Sequence, residues 1–181
     1  MTRLTRITVY PIKSLDGVEV SRANILRSGS LEGDRRYGLI DADENFVNGK
    51  RNRKVHAIRA AFSSDLARVS LSTDRSNFGP QSLSTERGQI GNWLSREIGK
   101  DCRLIENAEV GFPDDADSPG PTVISTQSLE AIAGWFDLTL DECRRRFRTN
   151  LEVDAPHAFW EDCLVGREFS LGGVVLHGAN V

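Results

Sequence analysis

The sequence predicts an α+β fold that is mainly β, and three observations carry that expectation. Short apolar–polar alternations separated by turn residues fill the first half. Helical periodicity begins only near Gln89. A loop rich in Asp, Pro and Gly over residues 108–121 then marks the best boundary in the chain. Many short strands with turns between them suit a sandwich or a barrel.

Residues 3–10 alternate, with Leu4, Ile7 and Val9 among polar neighbours, until Pro11 breaks the pattern. Residues 18–26 read as a second strand. Residues 36–41 and 45–47 flank Asp-Ala-Asp-Glu and form a plausible hairpin. Residues 55–62 and 66–71 continue the strand series. Ile90, Trp93, Leu94 and Ile98 then recur at helical spacing. A second helix follows Ser125 and Thr126, with Leu129, Ile132, Ala133 and Phe136 on one side. A third opens at Thr139, where Glu142 completes capping-box spacing, and Leu140, Cys143 and Phe147 form its apolar edge. Strands return at residues 150–153, 168–171 and 174–177.

The chain has 181 residues, 39% hydrophobic and 27% charged, so a core forms without staples. The formal net charge is -3 and the isoelectric point is about 5.7. A duplex-binding protein draws most of its affinity from a dominant basic surface, so no nucleic-acid partner is expected. The N-terminus lacks the apolar region of a secretory signal, and no run approaches the ~20 apolar residues of a membrane span, so no membrane partner is expected either. Three widely spaced cysteines, Cys102, Cys143 and Cys163, make no disulfide framework and fit a reducing cytoplasm.

The common nucleotide loops, the nucleophile elbow and the His-Glu-x-x-His zinc motif do not occur. Asp41-x-Asp43-x-Asn45 imitates a calcium loop, but Phe46 stands where that loop needs Gly and Asn52 where it needs Glu. His56, His157 and His177 lie far apart and read as satisfied structural residues. Cys143 and Cys102 read as core, and Cys163 as a thiol in a loop.

Three segments carry more chemistry. Tyr10-Pro11-Ile12-Lys13-Ser14 presents an amine and a hydroxyl on a turn fixed by proline, suited to an oxyanion. Leu31 to Tyr37, with Gly33 permitting a tight turn and Arg35 beside it, is followed by a basic stretch of Lys50, Arg51, Arg53, Lys54 and Arg59. Arg144 to Asn150 runs from helix into strand, so that Arg148 and Asn150 would share one strand face and grip a phosphate and a heterocycle together. The plainer readings are a solvated lysine, a solvated basic face and a helix end with cations on its dipole.

The order of Y-P-I-K-S, G-D-R-R-Y-G-L-I-D, V-I-S-T-Q-S-L, R-F-R-T-N-L-E-V-D and F-W-E-D-C-L-V-G-R-E-F-S-L-G-G-V-V-L resembles the MOSC family over almost the whole chain. The resemblance implies a β-barrel-like N-terminal domain at residues 1–107, packed on a MOSC-type β-barrel with a few short helices at residues 108–181. It implies the molybdenum cofactor (molybdopterin), held by Lys13, Ser14, Arg35, Lys50, Ser125, Thr126, Arg148 and Asn150. Relatives of this kind reduce small N-hydroxylated substrates with electrons from a separate reductase or ferredoxin-like protein, and both are expected partners. An alternative is a carrier for sulfurated cofactor without its own redox turnover.

By the same resemblance the family's metal-binding cysteine lies just after the strand at residues 174–181, beyond this sequence. The metal ligand and the catalytic residue are therefore unassigned. The sequence reads as truncated at its C-terminus: a fragment, a trimmed chain or an inactive paralogue, expected to lack turnover as it stands.

Overall fold

Alternation in the first ten residues produces β1 (Arg3–Val9), and the rigid Pro11 follows its end. The computed structural model describes residues 2–180. The remaining strands are β2 (Val18–Val20), β3 (Tyr37–Ile40), β4 (Arg59–Phe62), β5 (Arg68–Ser72), β6 (Asn77–Ser82), β7 (Arg103–Glu106), β8 (Val123–Ser125), β9 (Leu151–Asp154), β10 (Glu168–Leu171) and β11 (Val174–His177). The helices are α1 (Arg87–Ile98), α2 (Thr126–Phe136) and α3 (Leu140–Phe147). The fold is α+β and mainly β, as the alternation predicts. No described helix is long and apolar enough to cross a membrane.

The chain packs as two compact units. The first comprises Met1–Thr8, Glu19–Ala23 and Gly120–Val181. Its sheet runs β2-β1-β9-β8. β1 pairs antiparallel with β9, Arg6 opposite Glu152, whereas β8 pairs parallel with β9. The parallel pair needs a long crossover, which α2 and α3 supply. Ile124, Leu129, Ala133 and Cys143 form the apolar centre beneath them. β10 and β11 make a separate antiparallel hairpin.

The second unit comprises Val9–Val18 and Asn24–Pro119. It holds the antiparallel pair β3–β7, the three-stranded sheet β4-β5-β6 and α1. Its core gathers Ile12, Leu39, Val69, Leu71, Ile90 and Leu94 among others, and Trp93 stacks on Phe78 at 5.8 Å. The apolar face expected for α1 is the buried one: Ile90, Trp93, Leu94 and Ile98 are at most 3% exposed.

Several local expectations shift. The second strand is only three residues long. Residues 53–57 form a 3-10 turn, capped by the Asn52 side chain on Lys54 N, instead of opening a strand. The strand β6, which contains Gly79-Pro80, escapes the alternation rule altogether. The calcium-like acids close the expected hairpin: Asp41 Oδ1 accepts from Asp43 N at 3.0 Å and Asn45 N at 2.9 Å, while Oδ2 pairs with Lys100 at 2.6 Å. Phe136 and Phe147, expected on apolar faces, are 67% and 46% exposed. Arg148 is the left-handed C-cap of α3, with φ 55°, and lies outside β9, so it shares no strand face with Asn150.

Candidate functional site

Four of the eight expected cofactor residues, Lys13, Ser14, Arg35 and Lys50, belong to the second unit. The turn after β1 carries the first two. Lys13 N donates to Tyr37 O at 2.8 Å, and Ser14 takes a left-handed φ of 72°. Lys13 is 9% exposed, and its ammonium lies 5.2 Å from the Phe46 ring. It donates to Phe112 O at 2.8 Å and Pro113 O at 3.0 Å, and pairs with Asp114 at 2.9 Å. Arg35, also left-handed, lies over the Tyr10 ring and pairs with Asp34, whose other oxygen accepts from Tyr10 N at 2.8 Å. Lys50 is exposed.

Asp114 contacts Lys13 and lies within the electrostatic reach of Arg35 and Lys50. Burial raises its pKa, but the bond from Lys13 and the charges of Lys13, Arg35 and Lys50 outweigh that and hold its carboxyl below the ordinary range. The rest of the basic stretch is solvated: Arg51, Arg53 and Lys54 are exposed, and Arg59 pairs with Asp16 at 2.9 Å.

Ser125, Thr126, Arg148 and Asn150 belong to the first unit. Ser125 caps α2, accepting from Ser128 N at 3.1 Å, and is fully buried. Thr126 Oγ1 donates to Glu152 Oε1 at 2.9 Å. Glu152, 5% exposed, also receives Arg144 through Nε at 2.8 Å and Nη2 at 2.9 Å. Burial raises the pKa of Glu152, but the Arg144 fork and Thr126 outweigh that and leave it below the usual glutamate range. Asn150 is 1% exposed; its Nδ2 donates to Thr8 O at 3.0 Å, and its Oδ1 accepts from Thr122 N and Oγ1, both at 3.2 Å. Those bonds tie β1 to the approach of β8.

Two acids at these positions escape sequence reasoning. One is Asp114. The other is Glu161, whose Oε1 accepts from Ser125 N at 3.2 Å while its buried Oε2 has no partner among the described residues. The only signal for Asp114 is its place in the Asp-rich loop, which reads as a boundary. For Glu161 there is none, because Ser125 and Glu161 are 36 residues apart.

Cys143 is fully buried in the apolar centre, and burial pushes the Cys102 thiol up. Cys163 is exposed. No group of three or more His, Cys, Asp or Glu that could hold a metal ion occurs among the described residues. The cation trio of the second unit fits a negatively charged group. The Asn150 side chain bonds Thr8 O and Thr122.

Residues 1–102 match the MOSC N-terminal beta barrel domain. The chain is also similar to a molybdenum cofactor sulfurase of Danio rerio, 25% identical over 207 aligned positions covering 88% of the chain and 25% of that relative. The chain thus spans about a quarter of the length of the curated relative it matches.

Proposed function

Because the chain belongs to the family of the MOSC N-terminal beta barrel domain, we propose that it binds the molybdenum cofactor through the cofactor's anionic phosphate. The observation that carries this reading is the nearly buried Lys13 ammonium, which already holds a carboxylate, Asp114, at 2.9 Å in the unit where Arg35 lies over Tyr10. Lys13 and Arg35 would hold the phosphate by charge-assisted hydrogen bonds, the class that desolvated oxyanions favour. Tyr10 and Phe46, stacked against those cations, would keep their heads oriented. Ser14, Lys50, Ser125, Thr126, Arg148 and Asn150 are assigned to the cofactor by the family resemblance.

When bound, the cofactor would supply a redox-active metal, and reduction of an N-hydroxylated compound there would consume two electrons and two protons and release water. The module would then serve reduction of small N-hydroxylated compounds, with electrons from a separate reductase or ferredoxin-like protein. A second reading is a carrier for sulfurated cofactor, and the similarity to a cofactor sulfurase favours it specifically. The test is co-elution of molybdopterin with the purified chain on gel filtration, read by fluorescence of the oxidised pterin. Retention in the wild type and its loss in Lys13→Ala/Arg35→Ala supports the site. Retention that ignores those changes refutes it. Turnover of an amidoxime with reduced viologen separates the reductase from the carrier.

A further inference from the structure

A lysine ammonium has three protons to donate, and three consecutive residues take those of Lys13. They are the carbonyls of Phe112 and Pro113, at 2.8 and 3.0 Å, and the carboxylate of Asp114 at 2.9 Å. An incoming oxyanion therefore bonds Lys13 only by displacing one of them.

The backbone leading to these acceptors is anchored. Phe112 N donates to Arg35 O at 2.8 Å, Ser30 Oγ donates to Val110 O at 2.9 Å, and Gly111 N donates to Asn107 O at 3.2 Å. Gly111 has φ +75°, and a Cβ there would lie 2.7 Å from Asp34 O, so the loop passes that point at closest approach. Asp114 lies past these anchors, and its side chain is 61% exposed. Of the three acceptors it is the one that can leave without breaking the loop's attachment. It is also the acid on which Lys13, Arg35 and Lys50 act together.

We propose that Asp114 is an internal counter-anion: a strap that holds the cationic site of the second unit and yields it to a phosphate oxyanion. This rests on the anion-site reading above and adds a selectivity device to it. A ligand must carry more charge than one carboxylate to displace Asp114, so a phosphate dianion enters and a monoanion such as acetate does not. The strap also keeps Lys13 neutralised when no ligand is bound.

The test is isothermal titration of the full chain with inorganic phosphate at low ionic strength. Asp114→Asn and Asp114→Ala should each bind phosphate about tenfold more tightly than wild type, the size expected from removing a partly exposed ion pair and its repulsion of the ligand. Asp74→Asn removes the same charge from another exposed position and should leave the affinity unchanged. Lys13→Met added to Asp114→Asn should erase the gain. If wild type binds phosphate through Lys13 and the Asp114 variants bind no better, the strap is wrong and the anion site stands. If neither wild type nor the Asp114 variants bind phosphate better than Lys13→Met, both readings fall.

Discussion

Asn150→Ala separates a structural role from a ligand role at the family's Arg-x-Asn pair. Asn150 is 1% exposed, and its side chain donates to Thr8 O and accepts two bonds from Thr122. Each contributes about 1 kcal/mol net, so truncation should cost about 3 kcal/mol, with the Thr8 carbonyl left short of a donor. Asn150→Asp keeps the acceptor but cannot donate to Thr8 O, and should be no more stable than Asn150→Ala. Urea denaturation followed by tryptophan fluorescence reads the loss as a lower midpoint at unchanged slope. Stability within about 0.5 kcal/mol of wild type, together with lost phosphate binding, would refute the reasoning. The amide would then face the ligand and not the sheet.

Arg144→Met breaks the fork onto Glu152 and should destabilise by about 3 kcal/mol, the low end for a buried pair, since Arg144 is 23% exposed and Arg6 remains 3.7 Å from the carboxylate. Glu152 has a folded pKa below the unfolded one. Its contribution is therefore fully present above the ordinary glutamate value of 4.5 and is lost as pH falls below it through the depressed folded value. Arg144→Met should accordingly flatten the acid limb of a stability-versus-pH curve, and an unchanged limb would show that Glu152 is not the group titrating. Thr139→Ala removes a complete capping box from α3 and should lower stability by about 1 kcal/mol in thermal melts, with phosphate binding unaffected.

The elements legible in the sequence are those whose local chemistry agrees with their surroundings. β1, the buried stripe of α1, the capping box at Thr139 and the closing strands β10 and β11 all follow from period or cap. The failures have particular causes. β6 contains Gly79 and Pro80, residues that alternation counts as breakers, yet β5 beside it supplies the pairing. Phe136 and Phe147 obey helical spacing but lie in the last turns of α2 and α3, where the apolar centre of Leu129, Ala133 and Cys143 no longer reaches. Arg148 and Asn150 are two apart in sequence, but the left-handed cap at Arg148 intervenes, so a strand-face rule does not apply to them.

The site divides along the same line. Its cations are marked by the family resemblance, since a lysine after a proline turn or an arginine beside a tight glycine reads on its own as a solvated side chain. The acids are not legible, because a folded protein neutralises buried charge with whatever carboxylate its topology brings near, at any sequence distance. Lys13 meets Asp114 across 101 positions of chain, and Ser125 meets Glu161 across 36. A run of basic motifs therefore indicates where positive potential is generated, while the acid that answers each cation decides whether the site is open. In the second unit that acid is partly exposed and replaceable. At Ser125 it is a carboxylate with one oxygen buried and unpartnered among the described residues, which costs more to move and more to keep. The two positions should respond differently to added phosphate: Asp114 should release Lys13, while Glu161 should stay bound to Ser125.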